Sequence, residues 1–301
     1  MSILGLERVV YGVEDLALGR RFFGDWGLVA EGDVFRAADG TEVVLRPADD
    51  PNLPPAIEPG STVREIVWGV ERPADLDALA RRLDGMTRLR RSEDGSLRFA
   101  DPTGMGVALT VTRRRPLQAQ EIAVNTPERR ARIDSIGPFY KRALPRRIGH
   151  VVLQVPEIAA VERFYREALG FWLSDRYPER GVFLRGRAEA DHHQLFLLQS
   201  ADTRPHFHHL AFEVHDVHEV FGGGLAFAAQ GWETHIGPGR HVISSCYFWY
   251  FRSPCGGSVE YFADMDSLTA AWQPREMPQS PEWFAEWALA TGVRQYGGVQ
   301  R

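Results

Sequence analysis

The stretches "LERVVYGVEDLALGRRFFGDWGL", residues 6–28, and "IGHVVLQVPEIAAVERFYREALGF", residues 148–171, follow one plan. Each contains a short strand, an acidic turn, and an amphipathic helix that carries two adjacent aromatic residues before a glycine. Two more pairs follow in the same order: "VREIVWGV" with "HHLAFEV", and "FADPTGMGVALTV" with "YFRSPCGGSVEYF". Three matches in register indicate that the chain contains tandem modules.

Each module is predicted to run as a strand, one helix and then several strands, with a Pro-containing turn before the last strand. We therefore predict an α+β fold of tandem βαβββ modules, in two domains that each form a cup-shaped mixed sheet. The expected bounds are 1–113 for an N-terminal domain, 114–146 for a linker, 147–266 for a C-terminal domain and 267–301 for a tail.

Two short helices are predicted outside these modules. Thr126, followed by proline, is a candidate N-cap for a helix in the arginine-rich linker. Ser280, again followed by proline, is a candidate start for a docked helix in the tail, where Trp283 and Trp287 stand four residues apart. The glycine run at 222–224 lacks the context of a nucleotide-binding loop, and we interpret it as a flexible turn.

The bulk composition predicts an ordinary globular protein of about two domains. The chain has 301 residues, of which 44% are apolar and 25% charged, and its formal net charge is -5. This charge provides no basic face for nucleic acid, and no apolar run reaches the length of a membrane span. Two cysteines are too few for a disulfide framework, so we expect a reducing cytoplasmic location.

The histidines are confined to the second half of the chain. All ten lie between His150 and His241. Since alternate side chains of a strand point to opposite faces, "GHVVLQV" places His150 opposite its apolar positions, and "HHLAFEV" does the same for His209. In "GSVEYF", Glu260 stands opposite its two neighbours. If the three strands curve into a cup with their helices outside, these three side chains point inward.

Two imidazoles and one carboxylate on one side of a metal form a facial triad, which holds Fe(II) or Mn(II) and leaves other positions open. The corresponding positions of the first module are Arg8, Glu65 and Ala108, which cannot bind a metal together. We therefore expect one metal site, in the second module. The remaining histidines outside the predicted pocket are expected to be exposed: His206, His208, His215, His218 and His235.

With these residues in place, the chain resembles the type I extradiol ring-cleaving dioxygenases of the vicinal oxygen chelate superfamily, a group that includes catechol 2,3-dioxygenase. The resemblance covers roughly residues 6–264 and is most specific in "IGHVVLQV", "HHLAFEV" and "PCGGSVEYF". It implies that His150, His209 and Glu260 bind Fe(II), with Mn(II) as the alternative. The implied reaction is extradiol cleavage of a catechol-type diol by dioxygen, and we also expect a homo-oligomer.

The resemblance implies three further site residues. His193, in "DHHQLFL", matches the acid-base histidine of the family, while His241 and Tyr250 match hydrogen-bonding groups near the substrate. Strand alternation does not distinguish His193 from His192, so that choice rests on the resemblance alone.

Two other functions remain open at this point. One is an oxygenase like 4-hydroxyphenylpyruvate dioxygenase, which uses the same triad with a keto acid. The other is a non-enzymatic protein of the superfamily that binds an aromatic ligand, although many of those lack the triad. Glyoxalase-like chemistry is disfavoured because it draws metal ligands from both modules, and Arg8 and Ala108 cannot serve.

Overall fold

The computed structural model describes residues 2–119, 121–278 and 280–289. The first half forms a single sheet with two helices. Its elements are β1 (Ile3–Val13), α1 (Leu16–Asp25), β2 (Val29–Glu31), β3 (Val34–Arg36), β4 (Glu42–Pro47), β5 (Thr62–Val70), α2 (Pro73–Leu83), β6 (Arg90–Arg91), β7 (Leu97–Ala100) and β8 (Gly106–Val111).

The second half repeats this order and then extends it with a tail. Its elements are β9 (Arg147–Val155), α3 (Ile158–Arg163) continued by a π-helical turn (Phe164–Ala168), β10 (Trp172–Tyr177), β11 (Gly181–Arg185), β12 (Ala190–Asp191), β13 (Leu195–Gln199), β14 (His206–Glu213), α4 (Val217–Ala229), β15 (Thr234–His241), β16 (Tyr247–Arg252) and β17 (Ser258–Ala263). The tail adds β18 (Ser267–Leu268), β19 (Arg275–Glu276), α5 (Pro281–Phe284) and β20 (Ala285–Ala288).

The sheets confirm the predicted α+β class. The first has the strand order β2-β3-β4-β1-β5-β8-β7-β6, and the second β19-β10-β11-β13-β9-β14-β17-β16-β15-β20, while β12 and β18 form a small pair. Parallel and antiparallel neighbours occur in both large sheets, as in β14, which is parallel to β17 and antiparallel to β9. Each half contains two units in which one strand and one helix precede three strands of the large sheet, and the third unit has one additional short strand, β12.

The interpretation of the glycine run as a turn was wrong, because residues 222–224 lie inside α4. Glycine is needed there for close packing. A Cβ on Gly223 would press on Ala143, and one on Gly224 would overlap the ring of Trp249. Glycine destabilises a helix interior, but at these positions it allows α4 to pack closely against its neighbours.

The linker helix was also predicted wrongly, since no helix occurs among residues 121–146, all of which the structure describes. Thr126 does accept the expected N-cap hydrogen bond, from the backbone N–H of Arg129 at 3.1 Å. The apolar side chains that a helix there would bury remain exposed, however: Ile133, Ile136 and Phe139. A helix this short is not stable without packing.

The tail helix begins at Pro281 as predicted but ends after one turn at Phe284. The chain then forms β20, in which Trp287 pairs with Arg240 of β15. The tail thus extends the second sheet as an edge strand. The predicted helical spacing of Trp283 and Trp287 fails because only Trp283 lies in the helix.

The two halves share one continuous hydrophobic core. The indole of Trp26 stacks on Tyr261 with ring centroids 3.6 Å apart, and the Tyr261 hydroxyl donates to the carbonyl of Trp26 at 2.7 Å. Phe22 packs edge-on against Phe227 of α4. The domain bounds given above stay a prediction, as does the homo-oligomer.

Within the described ranges, every helix is too short or too polar to traverse a lipid bilayer.

Candidate metal and substrate site

Three adjacent strands at the centre of the second sheet position the predicted ligands. In β9 and β14, His150 lies opposite Ala211, and Ala211 in turn lies opposite Glu260 of β17. His209 precedes Ala211 by two positions and therefore projects from the same face. The apolar residues between the ligands, such as Val151, face the core on the other side. Strand alternation predicted this arrangement.

The three ligand side chains meet at a single point. His150 Nε2 is 3.2 Å from His209 Nε2 and 3.1 Å from Glu260 Oε2, and the His209 Nε2 to Glu260 Oε2 distance is 3.4 Å. Metal–ligand bonds of about 2.1 Å, held at right angles, separate neighbouring ligand atoms by about 3.0 Å. The three atoms can therefore occupy one face of a divalent metal ion.

The burial of the polar atoms in this cluster is also compatible with a bound cation. Glu260 is fully buried, and neither of its carboxylate oxygens accepts a hydrogen bond from any residue that the structure describes. Burial alone would raise the pKa of Glu260, but the neighbouring imidazoles of His150 and His209 hold it well below its usual range. Burial lowers the pKa of His209 to about 4, so its ring is neutral. A buried carboxylate beside the imidazole nitrogens of two histidines fits a divalent metal ion.

The first half has a structural counterpart of this site with different chemistry. In β1, β5 and β8, Arg8 lies opposite Val67 and Val67 opposite Ala108, which is the register of the ligand strands. Arg8 forms an ion pair with Glu42 at 2.6 Å, and Glu65 forms one with Arg98. Ion pairs therefore replace the metal site in this half.

A cavity of about 480 Å3 opens onto the ligands. His150 and His209 form part of its wall, and it is also lined by His193, His241 and Tyr250. The remaining wall is mainly apolar and aromatic, formed by Val152, Tyr177, Phe183, Phe196, Leu198, Ile236, Ile243 and Phe284. Such a cavity suits a flat aromatic ligand with a few polar groups at one end.

The tail closes the polar end of this cavity. The backbone carbonyl of Phe284 accepts a hydrogen bond from Nδ1 of His241 at 2.8 Å. Nε2 of His241 then carries the lone pair and accepts from the Tyr250 hydroxyl at 3.0 Å. The tyrosine is held beside His209, with ring centroids 5.0 Å apart. Its hydroxyl is therefore oriented next to the metal ligands.

Residues 147–261, which hold all six predicted site residues, match the family model described as Glyoxalase/Bleomycin resistance protein/Dioxygenase superfamily. This part of the chain is therefore similar to that superfamily. The resemblance stated from the sequence is thereby confirmed for this part of the chain.

Two curated proteins are similar to this chain in sequence. Metapyrocatechase 2 of Cupriavidus necator is 38% identical over 156 residues, or 48% of this chain and 48% of that protein. The manganese-dependent 2,3-dihydroxybiphenyl 1,2-dioxygenase of Geobacillus genomosp. 3 is 23% identical over 251 residues, or 76% of this chain and 78% of that protein. The chain spans about half the length of the first of these relatives.

Similarity in fold to a solved structure extends over both halves. The Mn(II)-bound glyoxalase from Novosphingobium aromaticivorans superposes with a TM-score of 0.77 at 23% sequence identity, over 98% of this chain and 94% of that chain. This likeness confirms the fold of the whole chain.

The structure distinguishes His192 from His193, which strand alternation did not. His193 lines the cavity, with its ring centroid 4.3 Å from that of His150. His192 is fully buried and lies behind it, where Nε2 contacts Asp175. The position of His193 is the one that the resemblance implied, while its role stays a proposal.

Sequence analysis missed two cavity residues, His208 and His235, because it expected both to be exposed. A β-bulge in β14 explains the first. Phe207 pairs with Leu153 and His209 with Val152, so His208 is an extra residue that the bulge turns towards the cavity. Burial and the neighbouring His209 lower the pKa of His208 to about 3.

The other histidines expected at the surface differ in exposure. His218 is exposed and His215 half-buried. His206 is also half-buried and contacts Glu58 and Asp202, each at 2.9 Å. Its position at the start of β14 explains these contacts, because the Glu58 carboxylate also accepts from the N–H of Phe207.

A cysteine that the sequence did not suggest also lies near the site. His241, Cys246 and Glu260 form a second cluster that shares the buried carboxylate. Burial raises the pKa of the Cys246 thiol well above its usual value, and its sulfur contacts the Ser244 hydroxyl at 3.3 Å. A protonated thiol is a poor metal ligand, so the first cluster is the better metal site.

Proposed function

We propose that this protein is an Fe(II)-dependent extradiol dioxygenase that cleaves a catechol-type diol with dioxygen. The observation that carries the proposal is the convergence of two imidazole nitrogens and one buried carboxylate on the wall of a mainly apolar cavity. The relative named as a dihydroxybiphenyl dioxygenase supports it, because dihydroxybiphenyl contains such a diol.

In this proposal His150, His209 and Glu260 hold the metal ion through one face. Fe(II) held by these residues would bring a diol and dioxygen together. The reaction loses no atoms: catechol and one O2 give 2-hydroxymuconic semialdehyde, the ring bond beside the diol breaks, and dioxygen accepts the electrons. Mn(II) suits the same ligands, and metal analysis of the purified protein distinguishes the two ions.

The cavity wall would hold the ring of the substrate. Phe183 and Phe196 are stacked with centroids 3.9 Å apart and an interplanar angle of 1°. Together with Ile243 and Tyr177 they form an apolar surface on the side of His193. This surface excludes water from the reacting carbons and favours diols that carry an apolar substituent.

His193 would move the proton. Burial lowers the pKa of His193 well below its usual value. The ring is therefore neutral at pH 7 and able to accept a proton from a diol hydroxyl and return it later. Tyr250, whose hydroxyl donates to His241, would accept a hydrogen bond from a hydroxyl of the bound diol.

The test is a spectroscopic assay of the full chain, prepared anaerobically with Fe(II) and mixed in air with a panel of catechols. We expect a new visible absorbance from a yellow semialdehyde, with a product mass equal to that of the diol plus O2. Colourless cis,cis-muconate would mean cleavage between the hydroxyls and would contradict the proposal, as would unchanged catechols.

Two matched variants connect this activity to the metal ligands. His209→Ala should lose most of the bound metal and the activity while the fold persists, because a ligand contributes more to affinity than to packing. Glu65→Gln, at the corresponding register position of the first sheet, should keep the metal content and activity of the wild type. Metal retention by His209→Ala would rule out this ligand set.

A further inference from the structure

We propose that Asp175 and His192 are positioning residues for His193: together they hold its Nδ1 in a hydrogen bond, so that Nε2 is the nitrogen that exchanges protons with the substrate. The chemistry of this inference rests on the proposed function, whereas the hydrogen-bonded chain itself does not.

The three side chains form a continuous chain behind the cavity wall. Asp175 Oδ2 lies 2.9 Å from His192 Nε2, and His192 Nδ1 lies 3.1 Å from His193 Nδ1. Asp175 and His192 are fully buried, and His193 is 5% exposed. Both distances are normal for hydrogen bonds, and the burial protects them from competition with water.

The carboxylate determines the direction of both hydrogen bonds. Burial alone would raise the pKa of Asp175, but hydrogen bonds from His192 and Arg275 outweigh it and leave that pKa below the usual value. An ionised carboxylate only accepts, so His192 donates through Nε2. Burial lowers the pKa of His192, so the ring is neutral and its Nδ1 can only accept. His193 must therefore donate through Nδ1, and only its Nε2 remains to take up a proton.

The tail keeps the carboxylate in place. β19 pairs with β10 at Asp175, and the N–H of Arg275 donates to Asp175 Oδ1 at 2.7 Å. The Arg275 guanidinium donates through Nη2 to Asp175 Oδ2 at 2.6 Å and to the carbonyl of Ile243 at 2.8 Å. The tail thus ties the strand that carries Asp175 to the loop beside the cavity.

The hydrogen bond from His193 to His192 matters because the other contacts of the His193 side chain among the described residues are ring contacts. In the part of the chain that the structure describes, His192 is the hydrogen-bond partner of His193, and Phe183 packs edge-on against its ring. An imidazole without a fixed hydrogen bond can exchange its tautomers and present a protonated Nε2, which cannot accept a proton. A carboxylate that fixes the tautomer of a catalytic histidine prevents this exchange.

The decisive variant is Asp175→Asn, which keeps the shape of the side chain. Its amide can donate as well as accept, so it no longer forces His192 to donate. We expect kcat for catechol cleavage to fall by about 10-fold or more, while KM and metal content stay near wild type. Asp191→Asn is the matched control, because the Asp191 carboxylate pairs with Arg147 and, among the described residues, has no hydrogen bond or ion pair with a histidine side chain. That control should keep the wild-type kcat.

A pair of substitutions at His192 separates positioning from packing. The amide of His192→Gln can donate to Asp175 and accept from His193, whereas His192→Leu fills space without either bond. We expect the Gln variant to keep a clearly higher kcat than the Leu variant. Equal kcat values in the two variants, or a wild-type kcat in Asp175→Asn, would overturn the proposal.

A second readout is independent of activity. In the full chain prepared without metal, the 15N shifts of the imidazole rings, assigned by comparison with His193→Phe, should show His193 protonated at Nδ1. Asp175→Asn should lose this preference, and an unchanged tautomer there would contradict the positioning role. If the wild type cleaves no diol, the proposed function fails, and the tautomer measurement still decides this inference by itself.

Discussion

His192 and His193 are neighbours in the chain, yet their environments differ. His193 lines the cavity beside His150, and His192 lies behind it on Asp175. Sequence periodicity could not separate them, because both belong to the short segment before β13, outside any regular strand. The difference in their roles comes from the surrounding strands and the tail.

The role proposed for His193 predicts a specific kinetic effect. His193→Phe should leave metal content and catechol binding near wild type but reduce turnover by about 10² to 10⁴ fold, the range for general acid-base catalysis. Steady-state kinetics and metal analysis test this directly. Loss of the metal would identify His193 as a ligand, and undiminished turnover would exclude it as the acid-base residue.

The low pKa of Asp175 predicts how stability depends on pH. Because its pKa is lower in the folded chain than in the unfolded one, ionised Asp175 stabilises the fold above about pH 4, the unfolded pKa. This contribution disappears as the pH falls through the folded pKa. The difference in free energy of unfolding between wild type and Asp175→Asn, from urea titrations, should be constant near neutral pH and shrink below about pH 4. A constant difference down to pH 2 would contradict the assignment.

At the scale of elements, two features depend on close contacts that are distant in sequence. The bulge in β14 turns His208 towards the cavity, and α4 accommodates Gly223 and Gly224 because Ala143 and Trp249 lie against its backbone. Sequence rules treat a run of glycines as a breaker, which is correct only where nothing else stabilises the helix. In α4, the packing of Val220 and Phe227 in the core compensates.

The packing of α4 predicts opposite effects for two glycine substitutions. Gly224→Ala should lower the free energy of unfolding by about 1–3 kcal/mol, because its Cβ would overlap Trp249. Gly24→Ala, in α1 with open space around the new Cβ, should be neutral or stabilise by up to about 1 kcal/mol. Urea titrations followed by far-UV circular dichroism measure both. Equal effects would show that the contact with Trp249 is not limiting.

At the scale of the whole molecule, the first half supports the second. Trp26, at the C-terminal end of α1, stacks on Tyr261, which follows the proposed metal ligand Glu260 in β17. The first sheet therefore has a structural role beneath the site although its own counterpart positions carry Arg8 and Ala108.

This contact predicts that a substitution in the first half loosens the second. Trp26→Ala should lower the free energy of unfolding by about 3–5 kcal/mol and increase hydrogen exchange of the β17 amides. Phe35→Ala, which removes a buried aromatic residue packed on Phe23 within the first half, is the control. It should destabilise the fold without a comparable increase in β17 exchange. A similar increase in both variants would mean that the contact has no special role.

The sequence by itself determined the features that depend on local periodicity. A strand repeats every two residues, so the faces of β9, β14 and β17 could be assigned, and with them the positions of His150, His209 and Glu260. The repeat of the modules was equally visible, since it compares the chain with itself. These signals need no knowledge of which segments meet in space.

Only the tertiary structure decided the features that depend on partners from distant segments. Four features arise from contacts across the fold. They are the second helix of each half, the bulge at His208, the pairing of β20 with β15, and the hydrogen bonds that connect Asp175, His192 and His193. Residues 126–139 of the linker are mostly exposed and form no helix, despite a correct N-cap signal at Thr126. The physical reason is that a short element is stable only when packing or pairing offsets the entropy of ordering it.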